Sequence, residues 1–575
     1  MPNVTLNPAE RAAQEAQNRV LRCIEQRKSF LLEAGAGAGK TYSLIQTLKH
    51  LIEKEGKNLI RQHRQIACIT FTNVACDEIK SRTDSHPAIC ASTIHAFCWQ
   101  SIKDFQPFLR STIPTLEPWI EKLAETEGVG QRRIDYELGH RRIEEERLLL
   151  HHDDVLSLTV ALMGQAKFRR LFVNRYPFLL IDEYQDTAKN FASAIATHFL
   201  DNGEGPLVGF FGDHWQKIYG TGCGKIEHPG LENIGKESNF RSVPVIVECL
   251  NRIRPDLPQQ VTDPTAEGSV AVYHTNDWKG KRRTGQHWAG DLPVAVAAER
   301  LEQLIVKLET EGWDFAPEKT KVLMLTHRVL AAKQGYGNLV NVFPYNEMFL
   351  KKEDPHIAFF VDVVEPVCTA YQEKRFGEMF ATLGSRTPAI RAPRDKQGWA
   401  TDMNTLLKLR EAGTIGEVLD HLKRCPRPRL PDAVERKERE LEQFGPDPQP
   451  DEPSHVTRLR TLKTIAYHEV TALASFIEGH TPFETKHGVK GAEFENVLVV
   501  IGRGWNHYNF NQFLEWAGSL DRLPTDKRDT YERNRNLFYV TCSRPKKRLA
   551  ILFTQELTSA AMNTLIDWFG KDAIQ

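Results

Sequence analysis

Ala34-Gly35-Ala36-Gly37-Ala38-Gly39-Lys40-Thr41 follows directly on the apolar run Phe30-Leu31-Leu32. An apolar strand that runs into a glycine-rich turn and then a helix is the local grammar of a phosphate-binding loop. The glycines let successive backbone N–H groups converge on the β- and γ-phosphates of a nucleotide, Lys40 adds positive charge there, and the Thr41 hydroxyl can ligate Mg²⁺. The helix predicted from Tyr42 to about Glu53 adds its positive N-terminal end. Ala34 stands where the general pattern has glycine.

Farther along, Phe178-Leu179-Leu180-Ile181-Asp182-Glu183 reads as a buried strand ending in paired carboxylates. In an open α/β sheet the carboxyl ends of the strands face the ligand crevice. Asp182 is therefore placed to hold the Mg²⁺ that bridges the phosphates, and Glu183 to orient or deprotonate the attacking water.

The chain has 575 residues, too many for one domain, with 41% hydrophobic and 26% charged residues, an ordinary globular make-up. Lysine plus arginine and aspartate plus glutamate number 75 each, so a basic groove for nucleic acid must be local rather than global. The 10 cysteines include no C-x-x-C pair, which argues for reduced thiols and against a zinc knuckle or disulfide framework. With no signal segment at the N-terminus and no apolar run long enough to cross a bilayer, a cytoplasmic location without membrane partners is expected.

Strand-like and helix-like patterns alternate over 1–98 and 150–236, which predicts a first parallel-sheet core. Residues 99–149, with the charged runs Arg132-Arg133-Ile134-Asp135 and Arg141 to Arg147, read as a small helical insertion. A second core is expected from 237–343 and 456–575, with Lys321 to Leu325, Val497 to Ile501 and Leu549 to Phe553 as strands. Residues 344–455 form its helical insertion. That insertion ends in a charged helix, Asp432 to Phe444, and a Pro/Asp-rich linker, Gly445 to Pro453. The fold class is thus α/β: two parallel-sheet cores, each interrupted by an insertion.

Six further segments recur in a known order. They are Thr70-Phe71-Thr72-Asn73-Val74-Ala75, Ser92-Thr93-Ile94-His95-Ala96-Phe97-Cys98 and Gly212-Asp213-His214-Trp215-Gln216-Lys217-Ile218-Tyr219. Asn239-Phe240-Arg241-Ser242, Thr485 to Phe494 and Leu537 to Arg544 complete the set. With the phosphate loop and the carboxylate strand, the chain resembles the superfamily 1 helicases of the UvrD/Rep/PcrA group over nearly its whole length. The resemblance implies two RecA-like cores with ATP and Mg²⁺ between them. It also implies roles. Gln216 resembles the γ-phosphate sensor. Arg241 and Arg544 resemble the two arginines that reach the γ-phosphate from the second core, a task suited to an always-charged, bidentate guanidinium. Phe240 takes the place of an adenine-stacking tyrosine, and Glu493 that of the ribose acceptor. The adenine-reading glutamine is Gln17 or Gln14. Phe71, Thr93, His95, Tyr219 and His487 resemble the contacts to single-stranded DNA, where base stacking on an aromatic ring contributes about 1–3 kcal/mol.

The sequence departs from the family after Tyr219, where Gly220-Thr221-Gly222-Cys223-Gly224 replaces the usual aromatic and arginine. Trp215 lies on the other side of Tyr219 from the missing ring. Trp278-Lys279-Gly280-Lys281-Arg282-Arg283, with Trp288, reads as a solvated loop or a further nucleic-acid contact. Compact insertions, and a chain that stops about 30 residues after Arg544, suggest a motor that works with a separate nuclease, as in Gabija-type anti-phage systems, or an autonomous repair helicase. The resemblance implies 3′-to-5′ movement on single-stranded or tailed DNA. The rival expectation is an ATP-gated switch that binds DNA or a partner without unwinding.

Overall fold

The computed structural model describes residues 6–575 except 125, 127, 138–140, 202, 204, 219, 286–287, 325–330, 332–333, 345–346, 351, 384–389, 391, 450, 479–482, 485–491 and 504–507. The chain forms two compact units. One comprises Met1–Ala271, Asn511–Leu549 and Thr558–Gln575; the other comprises Val272–Phe510 and Ala550–Leu557. Thus Arg241 and Arg544, expected on the second core, cluster with the unit that carries the phosphate loop.

The first unit opens with helix α1 (Pro8–Glu25), started by an Asn7–Glu10 capping box. Strand β1 (Phe30–Ala34) leads into helix α2 (Lys40–Arg61), two turns longer than its sequence pattern suggested. Strand β2 (Ile66–Thr70), helix α3 (Asn73–Arg82), strand β3 (Ile89–Thr93) and helix α4 (Ile94–Ile102) continue the alternation. Helices α5 (Gln106–Thr112) and α6 (Glu117–Ala124) then begin the insertion.

The charged stretch of that insertion is not helical. Arg133–Tyr136 (β4), Arg142–Ile143 (β5) and Arg147–Leu150 (β6) form a three-stranded sheet. The period-two signal is carried by few residues: Ile134, Leu148 and Leu150 are fully buried, while Arg133 and Arg142 point to solvent. Glu144 accepts from Arg147 at 2.6 Å across the turn, so the charges that suggested a helix face close a hairpin instead.

Helices α7 (His152–Met163) and α8 (Ala166–Arg175) lead into strand β7 (Phe178–Asp182). Helix α9 (Lys189–Ile195), strand β8 (Leu207–Gly212) and strand β9 (Glu232–Lys236) finish the main sheet. Its order is β3-β2-β7-β8-β1-β9, and each neighbouring pair is parallel. The interior strands are apolar almost without break, as a sheet covered on both faces requires. One covering layer packs Val20, Leu44, Leu48 and Ile79 against the sheet, and the other packs Phe97, Leu158, Phe172 and Phe199. Phe97, within one of the recurrent segments, is thereby a core residue. Two short strands, β10 (Ser238–Asn239) and β11 (Gln260–Val261), flank helix α10 (Pro244–Ile253).

A five-stranded sheet ordered β12-β16-β15-β13-β14, from β12 (Ser269–His274), β13 (Thr320–Met324), β14 (Phe483–Glu484), β15 (Phe494–Ile501) and β16 (Pro545–Phe553), has most of its residues in the second unit. Its described insertion residues within 344–455 are helical, ending in Asp432–Gln443. The cationic segment near Trp278 is consumed locally. Arg283 stacks on Trp288 with 4.2 Å to the ring centre, and Arg282 donates to the backbone carbonyls of Thr275, Gly290 and Thr554. It is a self-supporting loop. Both units are therefore α/β, built on parallel strands.

Candidate active site

The phosphate loop bridges the carboxyl end of β1 and the start of α2. Gly37 and Gly39 both adopt φ +74°, which a side chain resists. Much of the loop's carbonyl face is held by the segment after β9. Asn239 Nδ2 and Gln259 Nε2 donate to Ala36 O at 3.2 and 3.1 Å. The Phe240 amide donates to Gly37 O at 2.9 Å, and Lys236 Nζ to Gly39 O at 2.9 Å. Burial lowers the Lys236 pKa to about 8. The first-turn amides of α2 remain as the orphan donors of a helix start, the position where phosphate is bound. A Cβ at Gly37 would meet Arg241 Cβ and Asn239 Oδ1 at 2.9 Å. Gly37→Ala is accordingly expected to weaken nucleotide binding and to cost about 1–3 kcal/mol of stability, read from nucleotide titration and urea unfolding.

Lys40 Nζ donates to Glu183 Oε2 at 3.0 Å. Burial disfavours the charge on Lys40, but Glu183, Asp213 and Asp182 more than offset it and hold its pKa above the ordinary value. Asp182 ends β7 and is buried. Desolvation, and then the neighbouring Glu183 carboxylate, raise its pKa to about 7 against the opposing pull of Lys40. Two crowded carboxylates with hard oxygen donors at the carboxyl end of β7 suit a divalent cation.

Glu183 sits in the left-handed backbone region at φ 49°. Gln185 Nε2 donates to its Oε2 at 2.5 Å, while Gln185 Oε1 accepts from the Asp213 amide at 3.0 Å. Gly212 is tightly packed here, because a Cβ would lie 2.4 Å from Gln185 Oε1 and 2.5 Å from the buried Tyr184 ring. Asp213 in turn accepts from Gln216 Nε2 at 2.8 Å, and Gln216 Oε1 accepts from Arg544 Nη2 at 3.3 Å. A continuous chain of hydrogen bonds thus runs Glu183–Gln185–Asp213–Gln216–Arg544.

Arg544 is buried, and its Nε donates to Val540 O at 2.9 Å. Desolvation, then the nearby positive charge of Arg241, depress its pKa to about 9. Arg241 Nη1 donates to Ser543 O at 2.9 Å, so the two guanidinium groups share one small region beside the loop. The helix Arg528–Cys542 that delivers Arg544 is fastened to the sensor turn. Asn536 Nδ2 donates to His214 O and Lys217 O at 3.1 and 3.0 Å, and the Tyr539 hydroxyl accepts from the Ala36 amide at 3.4 Å.

Sequence reasoning passed over Arg254 and Glu33. Arg254 ends α10 fully buried, donating to Asp213 Oδ1 at 2.7 Å and Glu33 Oε1 at 2.9 Å. Glu33, on β1 just before the loop, also accepts from Tyr184 at 2.6 Å and His214 Nδ1 at 2.6 Å. Burial opposes its charge, but His214, Arg254 and Tyr184 prevail and pull its pKa to about 2. Glu33, Asp213 and His214 bring their donor atoms within reach of one ion, and the Arg254 guanidinium supplies that positive charge. Trp215 packs between Arg254 and Arg535, at 5.2 and 4.1 Å, and so belongs to this network. Arg254→Met is expected to destabilise the fold by about 3–5 kcal/mol in urea unfolding, since it removes the charge partner of the buried Asp213 and of the partly buried Glu33.

Of the expected base-contact residues, Phe71 follows β2 and is exposed, Thr93 ends β3, and His95 lies in the first turn of α4. Thr70 pairs with Thr93, so all three gather at the carboxyl edge of two adjacent strands. Burial, then His152 at a ring distance of 4.9 Å, lowers the His95 pKa, which favours the neutral imidazole. Tyr219 and His487 lie outside the described residues. Phe240 is half exposed beside Gly39. Gln17 donates to Thr47 at 3.1 Å and keeps a buried carbonyl oxygen, whereas Gln14 is exposed. Glu493 is exposed and belongs to the second unit.

A phosphate loop at the carboxyl edge of a six-stranded parallel sheet, with a carboxylate pair on the strand two places away, defines a RecA-like P-loop nucleotide-binding protein. A family model described as an AAA domain matches residues 16–222. The chain is similar to the Gabija protein GajB of Bacillus cereus (strain HuB5-5), 23% identical over 95% of this chain and 96% of that protein. It is also similar to the ATP-dependent DNA helicase Rep of Escherichia coli (strain K12), 26% identical over 38% of this chain and 40% of Rep. The ATP-dependent DNA helicase PcrA of Staphylococcus aureus is 23% identical over 39% of this chain and 37% of its own length. Within the P-loop class the chain is similar to superfamily 1 ATP-dependent DNA helicases of the UvrD/Rep/PcrA-like kind, and over nearly its whole length to a Gabija protein.

Proposed function

We propose that the chain is an ATP-driven motor on single-stranded or tailed DNA that works in anti-phage defence with a separate nuclease subunit. The observation that supports it best is the unbroken hydrogen-bond chain from Glu183 through Gln185, Asp213 and Gln216 to Arg544. Such a chain lets the state of the γ-phosphate reach the helix Arg528–Cys542, and so lets hydrolysis become movement.

In this reading Lys40 and the first-turn amides of α2 hold the β- and γ-phosphates. Thr41 and Asp182 would hold Mg²⁺, whose charge would offset that of the phosphates and favour the ionised form of Asp182. Glu183 takes the proton of the attacking water, Gln216 senses the γ-phosphate, and Arg241 with Arg544 stabilises the charge that develops there. Phe240 stacks on adenine, Gln17 reads its edge, and Glu493 takes the ribose. Phe71, Thr93, His95, Tyr219 and His487 form the DNA track, and 3′-to-5′ polarity is proposed from the family resemblance.

The test is ATP hydrolysis by the full chain with and without oligothymidylate, beside strand displacement from duplexes tailed at either end. A motor shows DNA-stimulated hydrolysis and ATP-dependent displacement from the 3′-tailed substrate. The altered segment after Tyr219 favours the alternative, an ATP-gated switch, which would hydrolyse ATP and bind DNA but displace nothing. Stimulation by RNA well above that by DNA would redirect the substrate assignment.

A further inference from the structure

The loops at the amino edge of the main sheet, opposite the nucleotide edge, carry an unusual charge. The segment entering β2 holds Lys57, Arg61, His63 and Arg64 with no acidic residue between Glu55 and Asp77. The helix entering β7, α8, holds Lys167, Arg169, Arg170 and Arg175 with no acidic residue between Asp154 and Asp182. The two are joined where the Gln65 amide donates to Arg175 O at 2.8 Å. In a chain with formal net charge +0, this is a local positive field.

The field is concave. Arg64, Arg169, Arg170, Asn174 and His198 line a groove of about 1000 Å³, floored by Ala166, Val173 and Pro177. Two of its three arginines are oriented by neutral groups. Arg64 donates to Asn174 Oδ1 at 2.6 Å, and Arg169 to the carbonyls of Met163 and Gly164, each at 2.9 Å. Among the described residues no carboxylate lines the groove. His198 arrives by a second feature: α9 runs on into a single π-helical turn, Ala196–Leu200, in which the Asp201 amide donates to Ala196 O. Isolated π turns are uncommon and recur at functional sites.

We propose that this groove is a second nucleic-acid site, which binds the phosphate backbone of duplex DNA. Fixed guanidinium forks suit phosphate oxygens, and Asn174 and His198 add neutral hydrogen-bonding groups. Single strands are held largely by stacking on Phe, Tyr or Trp, and none of these lines the groove among the described residues. A protein partner would require a deep aromatic or aliphatic anchor, and the floor offers only small side chains. The inference takes its choice of DNA from the motor reading above.

The test uses the full chain and an Arg64→Gln/Arg170→Gln double variant, which leaves the nucleotide site untouched. Fluorescence anisotropy with a blunt labelled duplex, over a salt series, should show about a tenfold or greater loss of affinity and a salt slope smaller by about two. Oligothymidylate binding and the ATP hydrolysis it stimulates should be unchanged. Equal duplex affinity and equal slope in both proteins would overturn the proposal. So would loss of polyglutamate binding with duplex binding intact, which would make the groove a site for an acidic protein. A wild-type chain that binds duplex through these arginines yet shows no DNA-stimulated hydrolysis would sink the motor and spare the groove.

Discussion

Replacing Glu183 by glutamine is expected to reduce ATP turnover by about 10²–10⁴-fold, the span a positioned general base contributes. Nucleotide binding should stay intact or tighten. The amide keeps the size of the carboxylate and can still occupy its place beside Gln185, but it cannot take a proton from water. It also ends the 3.0 Å ion pair with Lys40, which leaves that ammonium free for phosphate. Steady-state hydrolysis and titration with a fluorescent nucleotide separate the two effects. Near-normal hydrolysis would take the base role from Glu183. A parallel loss of affinity would make it a residue of the binding site instead.

Much of this site was legible in the chain because it is built from local segments. A glycine turn between an apolar strand and a helix is written in consecutive residues, as is a strand ending in Asp182-Glu183. Their meeting follows from the rule that parallel strands aim their carboxyl ends at one edge. Arg254 and Glu33 were not legible. A single arginine between Ile253 and Pro255 carries no pattern, and its function depends on Asp213 and Glu33 arriving from two other strands. Gln185 is of the same kind: it was visible within a segment, but its bridge from Glu183 to the Asp213 amide exists only once β7 and β8 are neighbours. The charged insertion failed for another reason. Short strands such as Arg133–Tyr136 bury only alternate residues, and one buried isoleucine among charges is too weak a signal to set against a helical charge pattern.

Arg544→Ala is expected to lower kcat by about 10³–10⁵-fold, as loss of an arginine that stabilises γ-phosphate charge does. The nucleotide-free protein should stay folded, with a loss of about 1–3 kcal/mol in urea unfolding. The reasons lie in where the guanidinium sits. It is buried, and Arg241 stands beside it, so its charge is disfavoured enough to bring its pKa to about 9. A group held this way stabilises the nucleotide-free fold little and responds strongly to an anion brought near. Truncating it removes that electrostatic strain, which acts against the cost of the cavity and of the lost hydrogen bonds to Val540 O, Ser543 Oγ and Gln216 Oε1. Nucleotide affinity should fall far less than kcat, because the phosphates are still held by Lys40 and the loop, while stabilisation confined to the transition state is gone. Lysine at this position should restore little, since a point charge on a flexible stem cannot reproduce a planar fork that bonds Gln216 and phosphate together. Urea unfolding, nucleotide titration and single-turnover hydrolysis of the alanine and lysine variants decide the matter. Equal losses in affinity and rate, or a collapse of stability, would show that Arg544 holds the fold together rather than the transition state.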